Sequence, residues 1–565
     1  MTTQNKVQKW LQHLAVTTAL TVLLTLFCNI VYLSIFKLWP EFDQLLTWFI
    51  FDYLYDIVFF HSAPALERSL SNAILGALLL VPATSLVLSC AVVWYFRILK
   101  NVNTTSKHLD GPILLDGKAA FKSINKLTKK EGAVGLKIHP KASIPIHREL
   151  GNIFVWGMQG AGKSNFIKFL LKQIIHRADK AIIYDIKGEY TQLFFNEKST
   201  LISPRDLRSA AWDISKDITD TGLAEVFAES VLSAEATTES FWIDSARTVL
   251  KGVLIGLINS PEDWGWSELN DALFSSDKEL NSFLIKHYKP AAVLIQPDDK
   301  MTASIRSMIS AQLSWISEVA KYWGNSDNTF SISEWLSNAE KTTLIVQGDL
   351  KSPTLSSALI TALMSLATCA VLARQDTKDD RVWLVLDELG NLNKSRSLEQ
   401  WLSLGRSKGC RTLAGTQQLS QMNSIYGENN ANTILGLFNN VIVFKLAPSG
   451  NSPDTASKLF GEHRVEFVTE STDHKGNKSF TVHQENRPLV EPSKFVHLPQ
   501  PSLKDGIHGY MLIAGSNAAY KLKWPIETSL TEIAEASVTQ KISISPAIEA
   551  KQDNKVNRLA RKKTS

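Results

Sequence analysis

Residues 157–164 read GMQGAGKS. The stretch fits G-x-x-x-x-G-K-[ST], a loop whose glycines let backbone N–H groups close around phosphate oxygens. Its flanks agree with that reading. Ile153 to Trp156 is a short apolar run expected to be a strand, and Asn165 to Ile175 has helical spacing. Strand, loop and helix in that order place a phosphate at a helix N-terminus, where the dipole favours negative charge. The pattern predicts that Gly157, Met158, Gln159, Gly160, Ala161, Gly162, Lys163, Ser164 and Asn165 surround the phosphates of ATP. Lys163 would reach the β- and γ-phosphates, and the Ser164 hydroxyl would ligate Mg2+.

Later runs supply the acids. Val382 to Leu386 is apolar and ends in Asp387-Glu388. Asp387 would hold Mg2+ through water, and Glu388 would orient or deprotonate the attacking water. Lys180 to Asp185 is a similar strand, followed by Glu189. Asp185 and Glu189 either lie at a strand's carboxyl end, where open α/β sheets carry their sites, or serve as a helix cap and a surface acid. Cys410 to Gly415 is a further strand, and it delivers Thr416-Gln417. In a sheet where it neighbours Ile153–Trp156, Gln417 would sense the γ-phosphate. Arg406, carried by an amphipathic helix expected over Ser397 to Lys408, reads as an arginine finger for a neighbouring subunit's nucleotide, or as a cation at a helix end.

Strands alternating with helices predict an α/β class. From about residue 218 to 338 the pattern turns helical, with few strand signals. The expected organisation is a nucleotide-binding domain over 111–217 and 339–530, interrupted by an all-α insertion over 218–338. Residues 531–565 are basic at their end and poor in apolar groups, which predicts a disordered tail. Such a tail is either merely solvated or a salt-dependent, sequence-blind contact to DNA.

The N-terminal 110 residues read as a membrane anchor. Leu14 to Phe36 carries no charged residue, and Ala73 to Phe96 is a second apolar run. Each is long enough to cross about 30 Å of hydrocarbon as a helix. Lys6 and Lys9 precede the first, while Arg97, Lys100 and Lys107 follow the second. The positive-inside rule then puts both termini in the cytoplasm and residues 37–72 outside. The net charge of +5 permits nucleic-acid binding without requiring it. The four cysteines have no metal-ligand spacing, so neither a disulfide framework nor a zinc site is implied.

Taken in order, two spans, a phosphate loop, IIYDIKGEY, a helical insertion, VWLVLDELG, LGRSKGCRTLAGTQQLSQ and NRPLV resemble conjugative coupling proteins of the TraD/TraG type. These are inner-membrane ATPases of type IV secretion systems, within a wider RecA-like group that includes FtsK and HerA. The resemblance implies a RecA-like P-loop NTPase fold and a homo-hexamer with nucleotide sites between subunits. It implies DNA, single- or double-stranded, as cargo, with relaxase and relaxosome proteins and secretion-channel components as partners. Gly157, Gly160, Gly162, Lys163 and Ser164 match the family's nucleotide loop, and Asp387 and Glu388 match its acidic strand. Gln417 matches its glutamine motif, Arg406 stands at its arginine-finger position, and Phe241-Trp242 matches the start of its α-domain. Gln159 and Ala161 depart from the usual form but suit a backbone cradle. The same fold would also serve a receptor for protein effectors without DNA. A segregation motor of the FtsK sort would carry a winged-helix tail, and residues 527–565 show no such pattern.

Overall fold

The computed structural model describes residues 107–539, apart from 233–239, 325, 378–379, 393 and 473–477, together with helical pieces within 21–30 and 83–91. Most of the two expected spans, the 37–72 loop and the tail from 540 onward lie outside the described residues. Two compact units emerge: Met1–Asp110 with Arg464–Asn486, and Gly111–His463 with Arg487–Ser565. In the first, Lys107–Asp110 pairs antiparallel with the strand Glu462–Thr472, which shares a sheet with Lys478–Pro488. The hairpin 464–486, expected within the nucleotide-binding domain, thus groups with the N-terminal unit.

The second unit is built on a ten-stranded sheet. Its strands are β1 (Ile113–Asp116), β2 (Ile153–Trp156), β3 (Lys180–Asp185), β4 (Ser199–Ile202), β5 (Thr343–Gln347), β6 (Val382–Leu386), β7 (Cys410–Thr416), β8 (Asn440–Val443), β9 (Ile507–Leu512) and β10 (Ala518–Trp524). The order across the sheet is β1-β10-β9-β8-β2-β7-β6-β3-β5-β4. From β8 to β4 all neighbours are parallel. The β8–β9 and β9–β10 pairs are antiparallel. Parallel strands covered on both faces must be apolar throughout, which explains IFVW and VWLVL. Alternate residues serve opposite cores: Phe154 and Trp156 join one, while Ile153 and Val155 join the other.

Helices fill both faces. We label Gly117–Glu131 α1, Lys163–His176 α2, Glu189–Phe194 α3, Thr221–Val231 α4, Ser240–Ile258 α5, Trp266–Phe274 α6, Asp277–His287 α7, Lys300–Leu313 α8, Trp315–Trp323 α9 and Pro353–Leu372 α10. Helix α2 buries Phe166, Ile167, Leu170, Leu171 and Ile174, an i, i+1, i+4, i+5, i+8 stripe that seats it on the sheet. Among the described residues α10 is the one helix long and apolar enough to cross a membrane, yet 78% of its most apolar stretch is buried in the fold.

Helices α4–α9 form a cluster in which α5 packs against α4, α6, α7 and α8, and α6 begins at the buried Trp266. Its ring lies 6.0 Å from that of Trp212 and 5.9 Å from that of Trp315, and its indole N–H donates to the Trp212 carbonyl at 2.6 Å. Asp217 closes the cluster at its base. Its carboxylate accepts from the Trp212 indole at 2.8 Å and from the Ile332 amide at 2.7 Å, joining the segment's entry to its exit.

Beyond β10 the chain continues as a strap. Ile533 and Ala534 donate to the Gln192 carbonyl, Gln347 donates to Ala536, and Val538 donates to Asp206. Residues 531–539, expected at the start of a disordered tail, are therefore held along the carboxyl ends of the strands. Backbone hydrogen bonding supplies what their sparse apolar content does not.

Candidate nucleotide site

Strand order assembles the site. β7 lies between β2 and β6, with Thr416 opposite Trp156 and Ala414 opposite Leu386. The carboxyl ends of these three strands are therefore level. They carry the loop 157–162, Thr416-Gln417 and Asp387-Glu388 to one edge.

The loop keeps its shape through glycines that no other residue would replace without strain. Gly160 and Gly162 have φ of 73° and 99°. A Cβ on Gly162 would also stand 2.6 Å from the Ile507 side chain. The amide of Met158 donates to the Lys445 carbonyl at 2.9 Å, and that of Ala161 to Met158 at 3.1 Å. The first amides of α2, from Lys163 to Asn165, have no partner within the helix, as at any helix N-terminus. The Asn165 side chain turns elsewhere: it accepts from the Glu527 amide at 2.9 Å and donates to its carbonyl at 3.3 Å. It ties the strap to α2, so only its backbone remains for a phosphate.

Lys163, Ser164, Asp387 and Glu388 meet. Lys163 is buried, with its ammonium on the Asp387 carbonyl and 3.2 Å from Glu388 Oε2. Ser164 Oγ is 3.1 and 3.2 Å from the two carboxylate oxygens of Asp387. A hydroxyl and a carboxylate on one edge are hard oxygen donors that suit Mg2+. Glu388 Oε1 accepts from Thr416 Oγ1 at 2.9 Å and from the Gln417 amide at 3.2 Å. Gln417 lines a pocket of about 170 Å³ with Tyr190, Asp387, Glu388, Asn391 and Gln421. The Tyr190 phenol is pushed well up by its burial and by the charges of Asp387 and Asp185, so it stays neutral.

Arg406 is not part of this cluster. It is exposed in the turn Gly405–Lys408 that precedes β7. The seven residues of β7, at about 3.3 Å each, set it roughly 20 Å from Thr416 along the strand. Asp185 closes β3 and Glu189 opens α3, and both line the pocket that Asp387, Glu388 and Gln417 share, while each is also held by a local partner. Asp185 accepts from the Thr191 amide at 2.7 Å and from its hydroxyl at 2.8 Å, and burial pushes its pKa up. Glu189 pairs with Lys168 at 2.7 Å, which holds its carboxyl below the usual range.

Two positions escaped the sequence reading. A Cβ on Gly415 would lie 2.5 Å from the Asp387 carbonyl and 2.9 Å from Lys163 Cδ. The missing side chain is the passage through which Lys163 reaches the acids. A glycine inside a strand signals such close approach, and that was the available clue. Thr416 belongs to no motif of its own, and its bond to Glu388 depends on strand order.

Residues 136–524 match the family described as type IV secretion-system coupling protein DNA-binding domain. Coupling protein TraD of Escherichia coli (strain K12) is 26% identical over 422 residues, covering 72% of this chain and 57% of TraD. The chain thus spans little more than half the length of that relative. Among solved structures, the bacterial conjugative coupling protein TrwBdeltaN70 in its unbound monoclinic form superposes with a TM-score of 0.65 at 24% identity, over 77% of this chain and 97% of that one. Plasmid coupling protein TrwB in complex with ADP and Mg2+ gives 0.63 at 23%, over 77% and 98%. These likenesses establish the fold, and the family match spans more than half of the sequence: the chain belongs to the coupling proteins of type IV secretion systems.

Proposed function

We propose that the protein is an inner-membrane ATPase that couples a relaxase-bound DNA strand to a type IV secretion channel and drives its transfer. The observation that carries the reading is the convergence of Lys163, Ser164, Asp387 and Glu388 at one sheet edge. That set fits a nucleotide and Mg2+, as the TrwB complexes with ADP and Mg2+ and with the analogue ADPNP support. Bound Mg2+ would neutralise charge on the β- and γ-phosphates. Loop 157–162 and the first turn of α2 would cradle the phosphates, and Lys163 would turn from the acids to the γ-phosphate. Ser164 and Asp387 would hold the metal. Glu388 would orient or deprotonate water, and Gln417 would contact the γ-phosphate. Arg406 lies far from its own chain's site, which supports its use in trans within a ring, proposed to be a hexamer. Residues 1–110 are the proposed two-span anchor with both termini cytoplasmic, and 218–338 the proposed relaxosome-docking domain.

The test is ATP hydrolysis by the full chain in detergent, with and without single-stranded DNA, beside Lys163→Ala. DNA-stimulated turnover that the variant loses supports the motor. Turnover indifferent to DNA favours a receptor for protein effectors, and equal turnover in the variant removes the site.

A further inference from the structure

Helix α1 carries a charge pattern that the nucleotide site does not use. Its sequence is GKAAFKSINKLTKKE. Ala120, Ile124 and Thr128 are buried, which fixes the inward face. At 100° per residue, Lys118, Lys122, Lys126, Lys129 and Lys130 all fall within about 120° of arc on the outward face. All five are exposed. Among the described residues none of them has a carboxylate partner, and the one acid of the helix, Glu131, is bonded to Arg148 at 2.7 Å and lies 2.9 Å from His147. The Asn125 amide donates to the Lys141 carbonyl at 2.9 Å, which sets the exposed Lys141 beside the helix. The result is a face of one sign about 18 Å long, from Lys118 to Lys130.

We propose that this face binds the anionic lipid headgroups of the membrane that holds the anchor. The inference rests on the anchor reading and goes beyond it. Twenty residues separate Phe96, the end of the second apolar run, from Gly117. At no more than about 3.5 Å each, they tether α1 within reach of the cytoplasmic leaflet. The chemistry favours lipid over nucleic acid. The face offers ammonium point charges without arginine forks, and the one aromatic ring of the helix, Phe121, is half-buried against His139 at its margin. A planar anionic surface needs nothing more, since each lysine near it adds attraction independently.

The test uses the full chain in nanodiscs of phosphatidylcholine, alone or mixed with phosphatidylglycerol. Labelling of individual lysines by an amine-reactive reagent is followed by mass spectrometry, with exposed Lys278 and Lys300 as internal references. Lys118, Lys122, Lys126 and Lys129 are expected to label about threefold more slowly in the anionic discs, and salt of about 0.5 M should abolish the difference. Equal labelling in the two discs overturns the proposal. Protection by duplex DNA in neutral discs, without protection by anionic lipid, overturns it in favour of nucleic acid. A chain that does not enter discs at all refutes the anchor, and this inference with it.

Discussion

Thr416 holds Glu388: its hydroxyl donates to Glu388 Oε1 at 2.9 Å, while Lys163 occupies the other carboxylate oxygen at 3.2 Å. The carboxylate proposed to activate water is thus fixed from two sides before any nucleotide arrives. On the proposed turn of Lys163 to a phosphate, Thr416 and the Gln417 amide would remain as its restraints. Thr416→Val should therefore lower kcat for ATP hydrolysis about tenfold, the worth of one charge-assisted hydrogen bond, with little change in nucleotide Kd. Thr416→Ser should restore most of the rate. A rise in KM with kcat unchanged would contradict the positioning role.

Gly415 makes room for the Lys163 side chain. Gly415→Ala should cost about 1–3 kcal/mol through overpacking and displace the lysine. Nucleotide-induced thermal stabilisation should shrink accordingly. A variant with full stabilisation by nucleotide would show that the sheet yields easily at this point.

Lys163→Ala and Glu388→Gln should separate binding from chemistry. Both are expected to lose about 10²–10⁴-fold in turnover. Lys163→Ala should also lose affinity for nucleotide, whereas Glu388→Gln keeps its carbonyl oxygen for Thr416 and should bind as well as the unaltered protein. Titration of a fluorescent nucleotide analogue distinguishes the two.

Arg406→Ala should leave nucleotide affinity intact and reduce hydrolysis about 10³-fold or more, as expected for a cation acting on the transition state from a neighbour. Mixing Arg406→Ala and Lys163→Ala chains should recover part of the activity, because some interfaces then combine an intact lysine with an intact arginine. No recovery in mixed assemblies would argue for the helix-end role.

The α/β class and the residues that meet at the sheet edge were legible because each rests on a local pattern. GMQGAGKS needs only its own glycines and flanks, and VWLVLDE needs only a buried strand with acids at its end. What escaped depended on contacts distant in sequence. Gly415 and Thr416 gain their roles only once β7 lies between β2 and β6. The hairpin 464–486 has ordinary strand composition, and nothing in it announces a partner at Lys107–Asp110. The strap to Thr539 is held by backbone groups, and backbone groups leave no mark in composition. Arg406 was legible as a cation before a strand, but its distance from Thr416 follows from strand length and direction together.

Asp217 has a consequence for how this architecture can change. A single carboxylate bonds both the start of the helical segment and, 115 positions later, its end at Ile332. To the sheet, everything between is a closed loop, and loop length enters stability only logarithmically. Changes of length in the turns among α5–α9 should then be absorbed with little effect on the register of β4 and β5. Helix α4 is the exception, because it packs on α10 within the core that the segment shares with the sheet.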